Sequence, residues 1–452
     1  MGKRKIFFSV TLLVITVALS AQSRISPKKV EEDVNFFIET VENVHPDMYY
    51  YISKDSFEII KNSIYKEIST PKTKDEFLDI LHNFRPCFDS HTNFGWIITK
   101  DRKYVKSGGL FFNKGIKITN DKLWLLKKDG SIAGEIHAIN GMSAQHIILS
   151  GRKYFHYESA ALTDLEVKCN FQDLLYYLGV HSPFNVSISK SNNERTTLQI
   201  DGGNWGAARY ANNYHRHYFY GSILEKDSIA LLEYNSCDFY GGLLKEFTQF
   251  ADTFFHSLAQ SNVRHLFIDI SNNMGGRSGV NNLIFKHLLA DTLTVKSMGF
   301  LKNSKELSKS NYAHRYNEEN IGRIDSIDYE WIVSPGCKDK YYAYNVYLIT
   351  GPKSFSAAGD FVDTFIRNNL GIVVGQETGA QRSDICSPIV FKLPNSKLQF
   401  SVSAIHWNYN TPKGGFEPDL PFEINYMKRL DLTDLISLVK LIRKGYSFTI
   451  KQ

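Results

Sequence analysis

The sequence predicts a multi-domain α+β chain, with a helical segment first, a small β-rich segment next and an α/β layer last. Three observations carry this. Between residues 27 and about 100, apolar side chains recur at helical spacing. From about 105 to 200, short β-like runs alternate with Gly and Asn turns. From about 205 onward, strands and helices alternate, which points to a largely parallel sheet. The chain has 452 residues, 43% hydrophobic and 13% aromatic, which is enough for two or three full cores and argues against long disorder.

The first residues read as a processing segment. Lys3-Arg-Lys5 is positive, Ile6 to Leu19 is apolar, and Ser20-Ala21 are small. The apolar run suits a signal peptide (residues 1–21) and is shorter than the ~20 residues a spanning helix needs. Export, to the periplasm or outside the cell, is therefore expected, with no stable membrane span after cleavage. No cysteine follows the run, so a lipid anchor is not expected.

In residues 22–104, Val30, Val34, Phe37, Ile38 and Val41 mark one helix, which His45-Pro46 ends. Thr73-Lys-Asp-Glu76 is a capping box ahead of a second apolar stripe at Phe77, Ile80, Leu81 and Phe84. In residues 105–204, Glu135-Ile-His-Ala-Ile-Asn-Gly141 reads as a strand and turn, and Pro183 to Ser189 as the strand closing a small sheet. In residues 205–452, strands are expected at Ile229–Tyr234, Leu266–Ile270, Tyr344–Ile349 and Lys397–His406. Helices are expected around Phe247–Leu258, Asn282–Leu289, Phe361–Ile366 and Leu432–Ile442.

Net charge is +6 without long basic runs, which gives no case for nucleic acid. The five cysteines, Cys87, Cys169, Cys237, Cys337 and Cys386, are widely spaced and fit neither a disulfide scaffold nor a zinc ribbon. Small buried apolar groups are the simplest reading. Cys87 lies four residues before His91, but no thiol-protease motif surrounds it. No metal signature and no cofactor motif appears, and no carboxylate pair suggests glycoside chemistry.

Three segments carry chemistry. In Thr350-Gly-Pro-Lys-Ser-Phe-Ser-Ala-Ala358, a strand, a tight turn and a helix bring Ser356 to a helix N-terminus. That geometry lifts a hydroxyl out of a sheet and offers free N–H groups to a developing anion. Alone, such a serine is more often an N-cap. In Asp269-Ile-Ser-Asn-Asn-Met-Gly-Gly276, a strand runs into a turn whose glycines allow close backbone approach. In Phe88-Asp-Ser-His-Thr92, His91 is flanked by Asp89, Ser90 and Thr92, which could orient an imidazole.

Taken together these segments resemble the tail-specific, or C-terminal-processing, serine peptidases, in the branch related to the tricorn core. Val373-Val-Gly-Gln-Glu-Thr-Gly379 and Gly415-Phe-Glu-Pro-Asp419 are similar to two further strings of that family, and the five come in the family's order. The resemblance implies a crotonase-like α/β catalytic domain preceded by a PDZ-like domain, the latter also suggested by Ile139-Asn-Gly141. A PDZ module binds a peptide C-terminus as an added strand; Ser107 to Phe112 is a distant candidate for its carboxylate loop. The resemblance also implies a peptide or protein substrate, cut by Ser356 as nucleophile and His91 as base, with Ser90 as a relay. Oxyanion donors would be the N–H groups of Ala357 and of Gly275 or Gly276.

The chain departs from the family in four places. Gly359 stands where a glutamate is usual, Met274 opens the glycine triplet, and Gly379 to Ser383 holds no lysine for a Ser–Lys dyad. The stretch before Glu-Pro-Asp lacks an acid, so Glu417 is the nearest candidate to orient the histidine; a plain turn residue is the other reading of it. An exported serine endopeptidase is the expected function. The alternative is a non-catalytic protein of the same fold that holds a peptide or an apolar ligand.

Overall fold

A computed structural model describes residues 23–95, 101–189, 194–212, 217–336, 342 and 344–445. The expected signal segment and Cys337 lie outside the described residues. Among the described residues the fold is mixed α+β, built on three sheets.

The first helices are Pro27–Val44, Lys54–Glu67 and Lys74–Leu81. Val30, Val34, Phe37, Ile38 and Val41 form the buried face of the first, and His45 caps its end in extended conformation ahead of Pro46. The capping box forms: the Thr73 hydroxyl accepts the Glu76 N–H, and the Glu76 carboxylate accepts the Thr73 N–H. The buried face packs on an antiparallel sheet of Asn93–Phe94, Gln399–Trp407, Leu293–Lys302 and Ile324–Val333, with Asp384–Lys392 also paired to Gln399–Trp407. Phe37 joins the two layers, 4.5 Å from Phe94 and 5.2 Å from Phe400 between ring centres.

The second sheet runs Leu420–Pro421, Ile372–Gly375, Asn345–Thr350, His265–Asp269, Ile229–Tyr234 and Phe219–Leu224. Only the last pair is antiparallel. Ala230, Leu232, Leu266, Ile268, Val346 and Leu348 pack under the helices Gly241–Ala259 and Ala357–Arg367. Leu231, Phe267, Tyr347 and Ile349 face the helix Leu432–Gly445. Both faces are covered, so these strands read as unbroken apolar runs.

The third sheet is antiparallel: Ile116–Thr119, Lys122–Leu126, Ile132–Ile139, Phe184–Ser189 and Arg195–Ile200. Phe184–Ser189, read above as the closing strand, is followed by Arg195–Ile200 at the edge. Ala144–Tyr154 and Phe171–Tyr177 cover one face. The expected helix at 282–289 is only one turn, Asn282–Phe285. In the helix expected around Phe361–Ile366, Phe361, Val362 and Phe365 are buried while Ile366 is exposed.

Among the described residues, no helix is long and apolar enough to cross a membrane. No group of three or more His, Cys, Asp or Glu is gathered as for a metal ion. Cys87, Cys169, Cys237 and Cys386 are free thiols, the first three buried.

Candidate active site

The strand Asn345–Thr350 ends in a tight turn before the helix Ala357–Arg367. Ser354 braces the turn: its hydroxyl accepts the Gly351 N–H (3.1 Å) and donates to the Ile270 carbonyl (2.9 Å). The Phe355 N–H donates to the Asn273 carbonyl (3.0 Å). Between these ties Ser356 is held at φ 54°, ψ −127°. A residue with a side chain pays about 1–3 kcal/mol for such backbone, which persists where its surroundings over-determine it. Its hydroxyl makes no cap hydrogen bond to the helix. It faces His91 instead, with Nε2 3.2 Å from Oγ.

The glycine loop lies against this turn. Gly275 has φ 90°, and a Cβ there would come within 2.6 Å of the Phe355 carbonyl and 2.7 Å of the Ser356 Cβ. Asn273 and Asn281 fix the approach. Asn273 accepts the Gly275 N–H on Oδ1 (2.9 Å) and donates from Nδ2 to the Tyr234 carbonyl (2.9 Å). Asn281 donates to the Ala357 carbonyl (2.8 Å) and accepts from the Tyr234 hydroxyl (2.9 Å). The Gly275 N–H is thus taken up by Asn273 and is not free for an anion. The N–H groups of Gly276 and Ala357 have no acceptor among the described residues.

His91 arrives from the helical region. After the short 3₁₀ helix His82–Cys87, the chain turns through Asp89 and adds Asn93–Phe94 to the edge of Gln399–Trp407. Asp89 organises the turn. Its Oδ1 accepts the N–H groups of His91 (2.9 Å) and Thr92 (3.0 Å) and the hydroxyl of Ser403 (2.6 Å). Its Oδ2 meets His45 Nε2 at 2.9 Å. His45 Nδ1 accepts the Asp47 N–H, so Nε2 carries the proton and donates. Burial acts to raise Asp89, but the His45 and Ser403 hydrogen bonds and the neighbouring imidazoles hold its carboxyl below the usual range. The His91 ring is stacked on Phe355, 5.0 Å between centres and 16° between planes.

The acids are not where the sequence placed them. Glu417 is exposed and makes no hydrogen bond or ion pair to His91 or Ser90; it follows the buried Phe416, which keeps its own side chain at the surface. Among the described residues, the one carboxylate within 4.0 Å of a His91 ring nitrogen is Asp89, at 4.0 Å from Nδ1. Ser90 is joined to Glu158, which accepts both its N–H (2.8 Å) and its hydroxyl. Burial and the charge of Asp89 push the Glu158 carboxyl up to about 7, against the hydrogen bonds from Ser90. Glu158 comes from the loop after Ala144–Tyr154 and belongs to no motif, so no local pattern marks it. The Asp384 carboxyl is pushed up to about 7 as well. Burial is the main cause, Cys386 opposes it, and the charges of Asp360 and Asp89 add to it.

The family departures have structural reasons. A Cβ at Gly359 would already lie 2.4 Å from the Ala380 Cβ, so no glutamate fits there. The lysine nearest Ser356 in sequence, Lys353, is buried in an ion pair with Glu166 (2.9 Å) and is held charged, which leaves it unable to take a proton.

Residues 228–420 match the model of peptidase family S41. The structure of mature CPAF superposes with a TM-score of 0.61 at 12% identity, covering 93% of this chain and 99% of that one. Mature CPAF complexed with lactacystin gives 0.58 at 10% identity, covering 87% and 94%. At such identities the likeness is one of fold. A search of curated proteins finds no match. The chain is thus a serine-type peptidase whose region 228–420 is similar to peptidase family S41.

Proposed function

We propose that the chain is an exported serine endopeptidase using a tricorn-like Ser/His mechanism. Ser356 Oγ attacks the scissile carbonyl carbon while His91 Nε2 takes its proton. The oxyanion receives the N–H groups of Ala357 and Gly276, each such donor worth roughly 3–4 kcal/mol of barrier. His91 then protonates the leaving amine, and water repeats the sequence on the acyl-enzyme. His91 Nδ1 is buried and makes no hydrogen bond among the described residues; Ser90, whose own proton goes to Glu158, is the relay that would turn to it during turnover, and Asp89 adds negative charge beside the imidazolium. Glu158 thus takes the place foreseen for Glu417. Cleavage near substrate C-termini is the specificity the family name suggests.

The observation that carries this reading is the 3.2 Å contact of His91 Nε2 with a hydroxyl that caps nothing, at a strained serine. Ser356→Ala is expected to abolish hydrolysis of an unstructured peptide with the fold retained, while a metal chelator leaves wild-type turnover unchanged. Chelator-sensitive cleavage that survives in Ser356→Ala contradicts the proposal. Absence of any Ser356-dependent cleavage favours a ligand-binding protein of the same fold.

The domain reading accompanies this: helical region 22–104, PDZ-like region 105–204 and crotonase-like region 205–452. Support for the middle region comes from its own sheet and core within residues 112–200, whereas the first helices share a sheet and a core with strands between 293 and 407. Export rests on the charged start, apolar run and small residues before Gln22. Mass spectrometry of the native protein is expected to find the mature chain beginning near Gln22; an intact Met1 argues against export.

A further inference from the structure

Glu158 reaches Ser90 from the short loop between the helices Ala144–Tyr154 and Ala160–Cys169. That loop is gripped mainly from outside itself. Arg85, in the 3₁₀ turn just ahead of Asp89, is 5% exposed. One of its terminal nitrogens donates to the Tyr154 carbonyl (2.6 Å) and the other to the His156 carbonyl (3.0 Å). Among the described residues, no carboxylate lies within ion-pair range of it. A buried guanidinium is costly unless its donors are used, and here the acceptors are two carbonyls of one loop.

Other ties act on the same segment. The Tyr154 hydroxyl donates to Asp79 (2.6 Å). Thr163 Oγ1 accepts the Tyr157 N–H (2.9 Å) and donates to the Tyr157 carbonyl (3.2 Å). The Tyr157 ring stands edge-on to Phe355, 5.4 Å between centres, and Phe355 is the ring on which His91 stacks. The loop therefore touches the site twice, through the Glu158 carboxylate on Ser90 and through the Tyr157 ring behind the imidazole.

We infer that Arg85 is a positioning residue that clamps the 154–158 loop, and through it sets Glu158 on Ser90 and Tyr157 behind the Phe355–His91 stack. The inference rests on the roles given to His91 and Glu158 above. One short turn then carries both the base and the clamp that brings its acid. Thr163 serves the same end from the following helix.

The test is a double-mutant cycle in the full chain, on an unstructured peptide. Arg85→Met and Glu158→Gln are each expected to lower kcat roughly 10- to 100-fold with little change in KM, as misplacement of a working group does. Arg85→Met in the Glu158→Gln background is expected to cost little more, because the two losses share one cause. A merely structural role would give multiplying losses, and that result overturns the inference. So does Arg85→Met turning over at the wild-type rate while Glu158→Gln is impaired. A silent Glu158→Gln removes instead the acid assignment on which the inference stands. If circular dichroism shows Arg85→Met unfolded, Thr163→Val replaces it under the same criteria: a smaller kcat loss that vanishes in the Glu158→Gln background supports the clamp, and an undiminished loss overturns it.

Discussion

Ser356 has the residue preference of a helix cap and the geometry of something else. Its positive φ turns the hydroxyl away from the helix and toward His91. The Gly275 contact exists only because no Cβ intervenes. Asp384 offers a test at this scale. Burial pushes its carboxyl up to about 7 in the folded chain, against an ordinary value of 3.8. Below pH 3.8 both states hold the proton, and the residue's favourable contribution is fully present. As pH rises toward 7 the unfolded chain gives up its proton first, so stability falls, and above 7 that loss is complete. Asp384→Asn should therefore raise the thermal midpoint at pH 8, by on the order of 1–3 kcal/mol in stability, with the gain shrinking toward pH 4. A gain of equal size at both pH values would contradict the buried-carboxylate account. Asp89 was legible as a neighbour of His91 because it adjoins it in sequence. Glu158 was not, since a carboxylate brought by a distant loop leaves no local pattern; Glu417 attracted attention only through its neighbours in a motif.

At the scale of elements, the parallel sheet was the easiest part to read. Strands such as Ile229–Tyr234 and His265–Asp269 are covered on both faces and show unbroken apolar runs bounded by turn residues. The capping box at Thr73 was equally plain, because its signal is local. The antiparallel sheet that receives the His91 segment was mostly missed. Ile324–Val333 has an Ile at each end of its solvent face, with Ser326, Asp328 and Glu330 between them, and Asp384–Lys392 has exposed Pro388 and Val390. Edge and half-exposed strands of this kind lack the clean alternation that marks a strand in sequence. Yet this sheet places the histidine. Asn93 pairs with Ser401, and the Ser401 and Ser403 side chains hold the His91 carbonyl and the Asp89 carboxylate. His91 is therefore tied to a strand that follows Ser356 in the chain.

At the scale of the whole molecule, the site draws on three regions far apart in sequence. His91, Ser90, Asp89 and Arg85 come from the helical region, Glu158 from the region of the third sheet, and Ser356 and the glycine loop from the α/β layer. The Lys353–Glu166 pair ties the nucleophile turn to a helix of the middle region, and loss of either partner would leave a buried charge, costing about 3–5 kcal/mol. None of the regions holds a working site alone, so activity reports their joint assembly. The central claim is that this assembly activates Ser356 through His91. It is tested most directly by reacting the full chain with a serine-directed phosphonate and mapping the adduct by mass spectrometry. The account predicts one adduct per chain, on Ser356, forming on the order of 10²–10⁴ times more slowly in His91→Ala. An adduct on another residue, or equally fast labelling of Ser356 without His91, would contradict it.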